Sequence, residues 1–216
     1  GRIGHHLLRH ATDAGHDVTA VARHPETLAE DRMTGIRVVR ADLADPDPAA
    51  LDSAVAGADA VLSALGPRSL SEAGVVSVGT RAIARAMGVT GTRRLVVVSA
   101  APIGTVASPG RPRPARHDPG DGFFMRHLLA PGIKIVLRRA YADLALMEEE
   151  LRASDLDWTV VRPPRLTDRP GTGVYRTALG QNLRRGLSVP REDVAHLMLA
   201  ALGRPETVHQ VVGIAT

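Results

Sequence analysis

Gly1-Arg2-Ile3-Gly4-His5-His6-Leu7-Leu8-Arg9-His10-Ala11 opens the chain, and the fold class follows from how these residues are read. Ile3, Leu7, Leu8 and Ala11 recur at helical spacing, and Gly15 suits the position just past a helix end. The stretch is a helix entered directly from two glycines. Such an entry leaves backbone N–H groups and the positive end of the helix dipole open to an anion, above all a phosphate. Gly-x-x-Gly alone is a weak signal. It gains weight as the back half of a longer glycine-rich turn, and a turn of that kind projects from a strand. The expectation is that one apolar strand and the leading glycines precede Gly1.

Working outward, strand and helix patterns alternate. Val18, Ala20 and Ala22 alternate within a strand over 16–23. Further strands are expected over 36–43, 59–65 and 95–99, the last a β-branched run of the kind buried in parallel sheets. Helices are expected over 47–55, with Asp47 as cap and Pro48 in the first turn, and over 71–87. This order defines an α/β protein of the Rossmann type, a doubly wound parallel sheet apparently without its first strand. Residues 104–122, rich in Pro, Gly and Arg, break the rhythm. They form a lid-like loop just past the fourth strand, where open α/β sheets bind ligands. A short helix over 123–129, an amphipathic helix over 133–154, strands over 157–162, 173–178 and 208–214, and a helix over 191–202 complete the pattern. At 216 residues the chain fits a single domain, 1–216, with a small substrate-side part at 163–216.

Composition narrows the function. The sequence pI is about 10.5, but the formal charge is only +4, and Lys134 is the sole lysine. Arginine's high pKa raises the pI without creating a strong field. Aromatic residues are 2%, which leaves few stacking platforms for single strands, so no nucleic-acid partner is expected. Zero cysteines exclude disulfides, thiolate metal sites and thiol catalysis. No apolar run approaches the length of a membrane span, and a cytoplasmic location is expected. His6 and His10 stand four apart, but no glutamate follows His6, so they read as surface histidines and no metal is expected. Glu148, Glu149 and Glu150 read as a solvated charge run.

Several residues stand where chemistry is done in such a sheet. Arg23 ends the strand after the glycine helix, the place that faces an adenosine ribose. An arginine there favours the 2′-phosphate of NADP, where an acid would hold the 2′-hydroxyl of NAD. The plainer alternative is a solvated strand-end arginine. Asp42 and Leu43 can receive an adenine ring, or Asp42 can simply cap its turn. Small residues in Ser63-Ala64-Leu65-Gly66-Pro67-Arg68 allow close approach of a ligand, and Arg68 can reach a phosphate or an acidic substrate. Ser99 ends the fourth strand and can hydrogen-bond a substrate carbonyl or a nicotinamide amide; it is the catalytic candidate. Tyr141 is four residues before Ala145 rather than a lysine, and it reads as a core tyrosine.

These pieces together resemble the atypical short-chain dehydrogenase/reductases, in their NmrA-like, NAD(P)H-binding branch, with the flavin and biliverdin reductases nearest in pattern. The resemblance runs nearly end to end. It rests on Gly1-x-x-Gly4, Val21-Ala22-Arg23, Ala41-Asp42-Leu43, Leu65-Gly66-Pro67-Arg68, Val98-Ser99-Ala100, Met147-Glu148 and Leu151-Arg152-Ala153-Ser154. Trp158-Thr159-Val160-Val161-Arg162-Pro163-Pro164-Arg165-Leu166-Thr167-Asp168 and the stretch 188–195 complete it. It implies that Gly1, Arg2, Ile3 and Gly4 lie on the pyrophosphate, Arg23 on the 2′-phosphate, and Asp42 and Leu43 on the adenine. Leu65, Gly66 and Arg68 would line the cofactor. Ser99 and the turn carrying Pro163, Arg165 and Leu166 would flank the nicotinamide.

The chain lacks the Tyr-x-x-x-Lys pair of the better-known dehydrogenases. The expected function is hydride transfer from NADPH, preferred over NADH, to a small-molecule acceptor such as a flavin, quinone or tetrapyrrole. Such acceptors spread the incoming charge and need positioning more than a tuned acid. Two alternatives remain: a non-catalytic NAD(P)-binding redox sensor, and a sugar-nucleotide epimerase or dehydratase.

Overall fold

A computed structural model describes residues 1–26, 28, 36–67, 69, 72–120 and 137–216. The opening helix α1 (Arg2–Asp13) buries Ile3, Leu7 and Ala11, and Gly15 follows it at φ 79° as its stop. Then come β1 (Thr19–Ala22), β2 (Arg37–Arg40), α2 (Pro48–Val55), β3 (Ala60–Ser63), α3 (Val75–Thr90) and β4 (Arg94–Val98). Helix α4 (Arg138–Arg152) leads to β5 (Asp157–Arg162), β6 (Arg165–Thr167), β7 (Arg176–Leu179) and β8 (Ser188–Pro190). Helix α5 (Arg191–Ala200) and β9 (Gln210–Ala215) end the chain.

The main sheet runs β3-β4-β5-β9-β7, parallel except for β7. β1 and β2 form a separate parallel pair, so among the described residues β1 and β3 each have a strand partner on one side only. β6 and β8 form a third small parallel pair, which periodicity did not reveal because each strand is three residues long.

Period-two alternation divides the sheet's side chains between two cores. Leu95 and Val97 of β4, and Trp158 and Val160 of β5, pack under α2, α3 and α4. Val96, Val98 and Val161 pack on the other face under α1 and α5. Helices therefore cover both faces, as a doubly wound sheet requires. Asp47 caps α2 through Ala49 N at 2.9 Å, as its position before Pro48 predicts.

Helix α3 starts later than its pattern suggests. Its N-cap is Gly74, which offers no side chain. The cap comes instead from α4, where the buried Asp143 carboxylate accepts the N–H groups of Gly74, Val76 and Ser77 at 2.9–3.0 Å. The expected helix over 123–129, the first turns of the helix over 133–154, Ser71, Arg68 and residues 121–122 of the loop lie outside the described residues. The described part of that loop is tied down: Asp118 is buried and accepts N–H groups from Gly120 and Asn182, and Asn182 Nδ2 donates to Ala101 O.

Candidate cofactor and active site

β3, β4 and β5 are parallel to one another, and so are β1 and β2; near the C-terminal ends of these strands lie the described residues singled out in the sequence. The first turn of α1 carries no side-chain cap. It lies against the end of β3: a Cβ placed on Gly4 would be 3.8 Å from Ala64 Cβ, and one on Gly1 4.0 Å from Ala64 O. Ile3 turns its side chain into the core, so only its backbone can serve an anion. Arg2 lies at the start of this turn and pairs with Asp168 at 2.5 Å, and Asp168 in turn pairs with Arg191 at 2.6 Å. Neither Asp168 nor Arg191 has a signal in the sequence that marks it for this pairing.

The next stretch of the edge is apolar. Leu43 and Leu65 close over Gly79 of α3, where a Cβ would stand 2.6 Å from Leu65 Cδ2 and 3.0 Å from Leu43 Cβ. Glycine inside a helix costs about 1 kcal/mol relative to alanine, and here the absence of a side chain lets two strand ends approach. Gly66 is exposed beside them. Asp42 caps its own turn, with Oδ1 accepting Ala44 N at 3.0 Å. Its other oxygen is 3.9 Å from Arg23, whose Nη2 donates to Glu72 at 3.0 Å. Arg23 is thus neither freely solvated nor unopposed. The guanidinium is held at the strand tip by two carboxylates. Gly1, Gly4, Ala64, Leu65, Leu43, Asp42 and Arg23 form one continuous edge.

At the far end of this edge, Ser99 lies beside Arg162 because β4 and β5 pair Val98 with Val161. Both side chains face α4 and meet Glu148. Ser99 Oγ donates to Glu148 Oε1 at 2.7 Å, Arg162 Nε donates to the same oxygen at 2.8 Å, and Arg152 reaches Oε2 at 2.7 Å. Arg162 Nη2 also donates to Oε2. Glu148 is fully buried, which corrects the expectation of a solvated charge run at 148–150. On α4, Met147, Glu148 and Leu151 share the buried face, so this glutamate points inward while Glu150 pairs at the surface with Arg81. Burial alone would raise the Glu148 pKa. The Arg162 hydrogen bonds and charge, the Ser99 hydroxyl and the Arg152 charge outweigh it, and the carboxyl is held below its ordinary value. The sequence held half of a signal for this cluster: Arg162 occupies an inward position in line with Trp158 and Val160, and an inward arginine needs a carboxylate, but nothing in its own stretch names Glu148 as that partner.

With its proton given to an ionised carboxylate, Ser99 can offer a ligand only an acceptor oxygen. Pro163 is buried, and its carbonyl accepts Ala101 N at 2.9 Å. Leu166 packs into the α1–α5 core, and Arg165 is exposed. Tyr141 stands half-buried in the first turn of α4, its pKa raised by burial, with Ala145 four residues on. His10 also departs from expectation: it faces the His196 ring at 5.9 Å between α1 and α5, and its Nε2 is buried.

This edge suits a dinucleotide: uncapped amides for a diphosphate, apolar walls for a base, and a guanidinium at the strand tip. The architecture is that of the Rossmann-fold NAD(P)-binding proteins, and the chain belongs to the NAD(P)H-binding family, whose model matches residues 1–205. It is 28% identical over 225 residues to the UPF0659 protein C216.03 of Schizosaccharomyces pombe, covering 98% of this chain and 85% of that protein. It is 27% identical over 212 residues to YhfK, an uncharacterised sugar epimerase of Bacillus subtilis, covering 96% and 86%. In fold it is similar to a short-chain dehydrogenase/reductase of Veillonella parvula solved with NADP, with a TM-score of 0.76, 17% identity and 100% and 90% of the chains covered. It is also similar in fold to ChuY, an anaerobillin reductase of Escherichia coli O157:H7, with a TM-score of 0.75, 21% identity and 99% and 91% covered.

Proposed function

We propose that the protein is a cytoplasmic NADPH-dependent reductase that delivers hydride to a conjugated small-molecule acceptor such as a flavin, quinone or tetrapyrrole. The observation that carries this reading is the continuous edge from the α1 amides to Arg23. Gly1, Arg2, Ile3 and Gly4 would hold the diphosphate, Leu43 and Leu65 would flank the adenine, and Arg23 would take the 2′-phosphate. Glu72 must release Arg23 for that contact, so the preference for NADPH over NADH is set against two neighbouring acids. Arg68 would add a further cation from outside the described residues.

With the dinucleotide bound, its reduced nicotinamide supplies the hydride. Ser99 Oγ would be available to accept a hydrogen bond from the bound nicotinamide, with Glu148, Arg152 and Arg162 holding the serine in place. Pro163, Arg165 and Leu166 border the same end. Neither candidate among the described residues singled out above is set up to protonate a carbonyl oxygen: Ser99 is committed to Glu148, and Tyr141 has Ala145 where a lysine would lower its pKa. An acceptor that stabilises negative charge in its own ring system and takes its proton from water fits these residues.

The name of the B. subtilis relative favours a second reading, an epimerase acting on a sugar nucleotide. Stopped-flow mixing with NADPH and free flavin or quinone separates the readings. Our reading expects saturable NADPH oxidation that Tyr141→Phe leaves within about twofold, whereas loss of a true acid removes about 10²–10⁴-fold. Sugar-nucleotide turnover abolished by the same variant would establish the epimerase. Tight NADPH binding without turnover of any acceptor would establish a sensor.

A further inference from the structure

On the α4 face of the sheet, adjoining the Glu148 cluster, a cleft of about 310 Å³ opens between the C-terminal end of α4, the 104–120 segment and β9. Its floor is apolar, formed by Trp158 and Val211, each less than a tenth exposed. Above the floor stand three guanidiniums from three different segments: Arg111, Arg152 and Arg162. Arg162 is buried on β5, and Arg152 lies at the end of α4. Arg111 is carried in by a short bridge to Ser108 and fixed by Nη2 donating to Ile103 O and Val106 O at 3.1 and 3.2 Å.

Three acids lie nearby, each with at least one oxygen already engaged. Glu148 is consumed by Ser99, Arg152 and Arg162 behind the cleft. Asp118, the carboxylate in the lining, gives Oδ1 to two backbone N–H groups. Glu149 gives Oε1 to Gly110 N at 2.8 Å, while its Oε2 is buried without a hydrogen-bond partner. Arg111 Nε is likewise buried and has no hydrogen-bond partner. Leaving a buried donor unpaired is costly, and a charged donor more so. Burial, with Arg152 and Arg162 close by, also holds the Arg111 pKa below its ordinary value.

We propose that this cleft is a binding site for a small carboxylate with an apolar body. The planar guanidiniums match a carboxylate's two oxygens, and Trp158 and Val211 receive the hydrocarbon part. The volume is at the lower end of small-molecule sites, which limits the ligand to a short chain or a single ring. Occupancy would draw Arg152 and Arg162 partly away from Glu148, and through Glu148 it would reach Ser99. The cleft can therefore report an acidic metabolite to the cofactor edge. Nothing in this assignment depends on which dinucleotide or acceptor the edge takes.

Trp158 is the only tryptophan in the chain, so its fluorescence reads the cleft floor directly. The full chain, without nucleotide, is titrated with hexanoate and separately with inorganic phosphate. The proposal expects a saturable change in Trp158 emission with hexanoate and a weaker response or none with phosphate. Arg111→Gln should raise the hexanoate midpoint about tenfold or more. Ala115→Glu places a negative charge on an exposed residue of the rim and should do the same without touching the fold. A linear or absent response to hexanoate, tighter binding of phosphate, or saturation unchanged in both variants would overturn it.

Discussion

In the proposed reading Arg23 carries the choice of dinucleotide, and two acids, Asp42 and Glu72, flank it. Replacing Arg23 with leucine should weaken NADPH binding about 10–100-fold, the worth of a charge-assisted contact, and leave NADH nearly unchanged. Glu72→Gln should act in the opposite direction, since its carboxylate competes with the 2′-phosphate for the same Nη2. Isothermal titration with both nucleotides measures each effect. At the other end of the edge, Glu148→Gln leaves Arg162 buried without its counter-charge and should cost about 3–5 kcal/mol in urea unfolding. The pH dependence follows from the lowered pKa of Glu148. Its contribution is complete above the ordinary carboxylate range and is lost as pH falls through the folded-state value. The gap between wild type and Glu148→Gln should therefore narrow in acid and be full at neutral pH. Arg23 was legible in the sequence because a strand-end position is a local property. Glu148 was not, because its burial depends on an arginine fourteen residues away, on another element.

Most of the helices and strands were visible as patterns, since each core face imposes its own period. α1, α2, β4 and β5 followed from apolar spacing and from the Asp47-Pro48 start. What the sequence left hidden was contact between elements. Helix α3 has no local cap, and Asp143 of α4 supplies one from 66–69 residues away. Asp143→Ala should uncap α3 and destabilise the protein by about 2 kcal/mol, the upper range for a helix cap, as read from the shift of the urea midpoint. The same limit hid the β6–β8 pair and the crossing of α1 with α5, which half-buries His10. Gly79→Ala belongs to this scale as well. Leu65 can swing aside, but Leu43 Cβ and its carbonyl stand only 3.0 and 3.2 Å from the added methyl. The variant should lose about 1–3 kcal/mol of stability despite alanine's better helix propensity, and thermal unfolding checks the sign.

Across the whole molecule, the parallel pair β1–β2 and the parallel strands β3, β4 and β5 of the main sheet carry at their C-terminal ends the described residues proposed for a dinucleotide. The face of the sheet behind Ser99 holds the Glu148 cluster and, beyond it, the arginine-lined cleft. The two regions share Arg162 and are joined by one buried carboxylate. The central claim is that the dinucleotide spans the edge from the α1 amides to Arg23. Paired dissociation constants for NADPH and NADH, in wild type and Arg23→Leu, test it most directly. The account predicts a clear preference for NADPH that collapses to parity in the variant; an NADPH-to-NADH ratio unmoved by the substitution would contradict it.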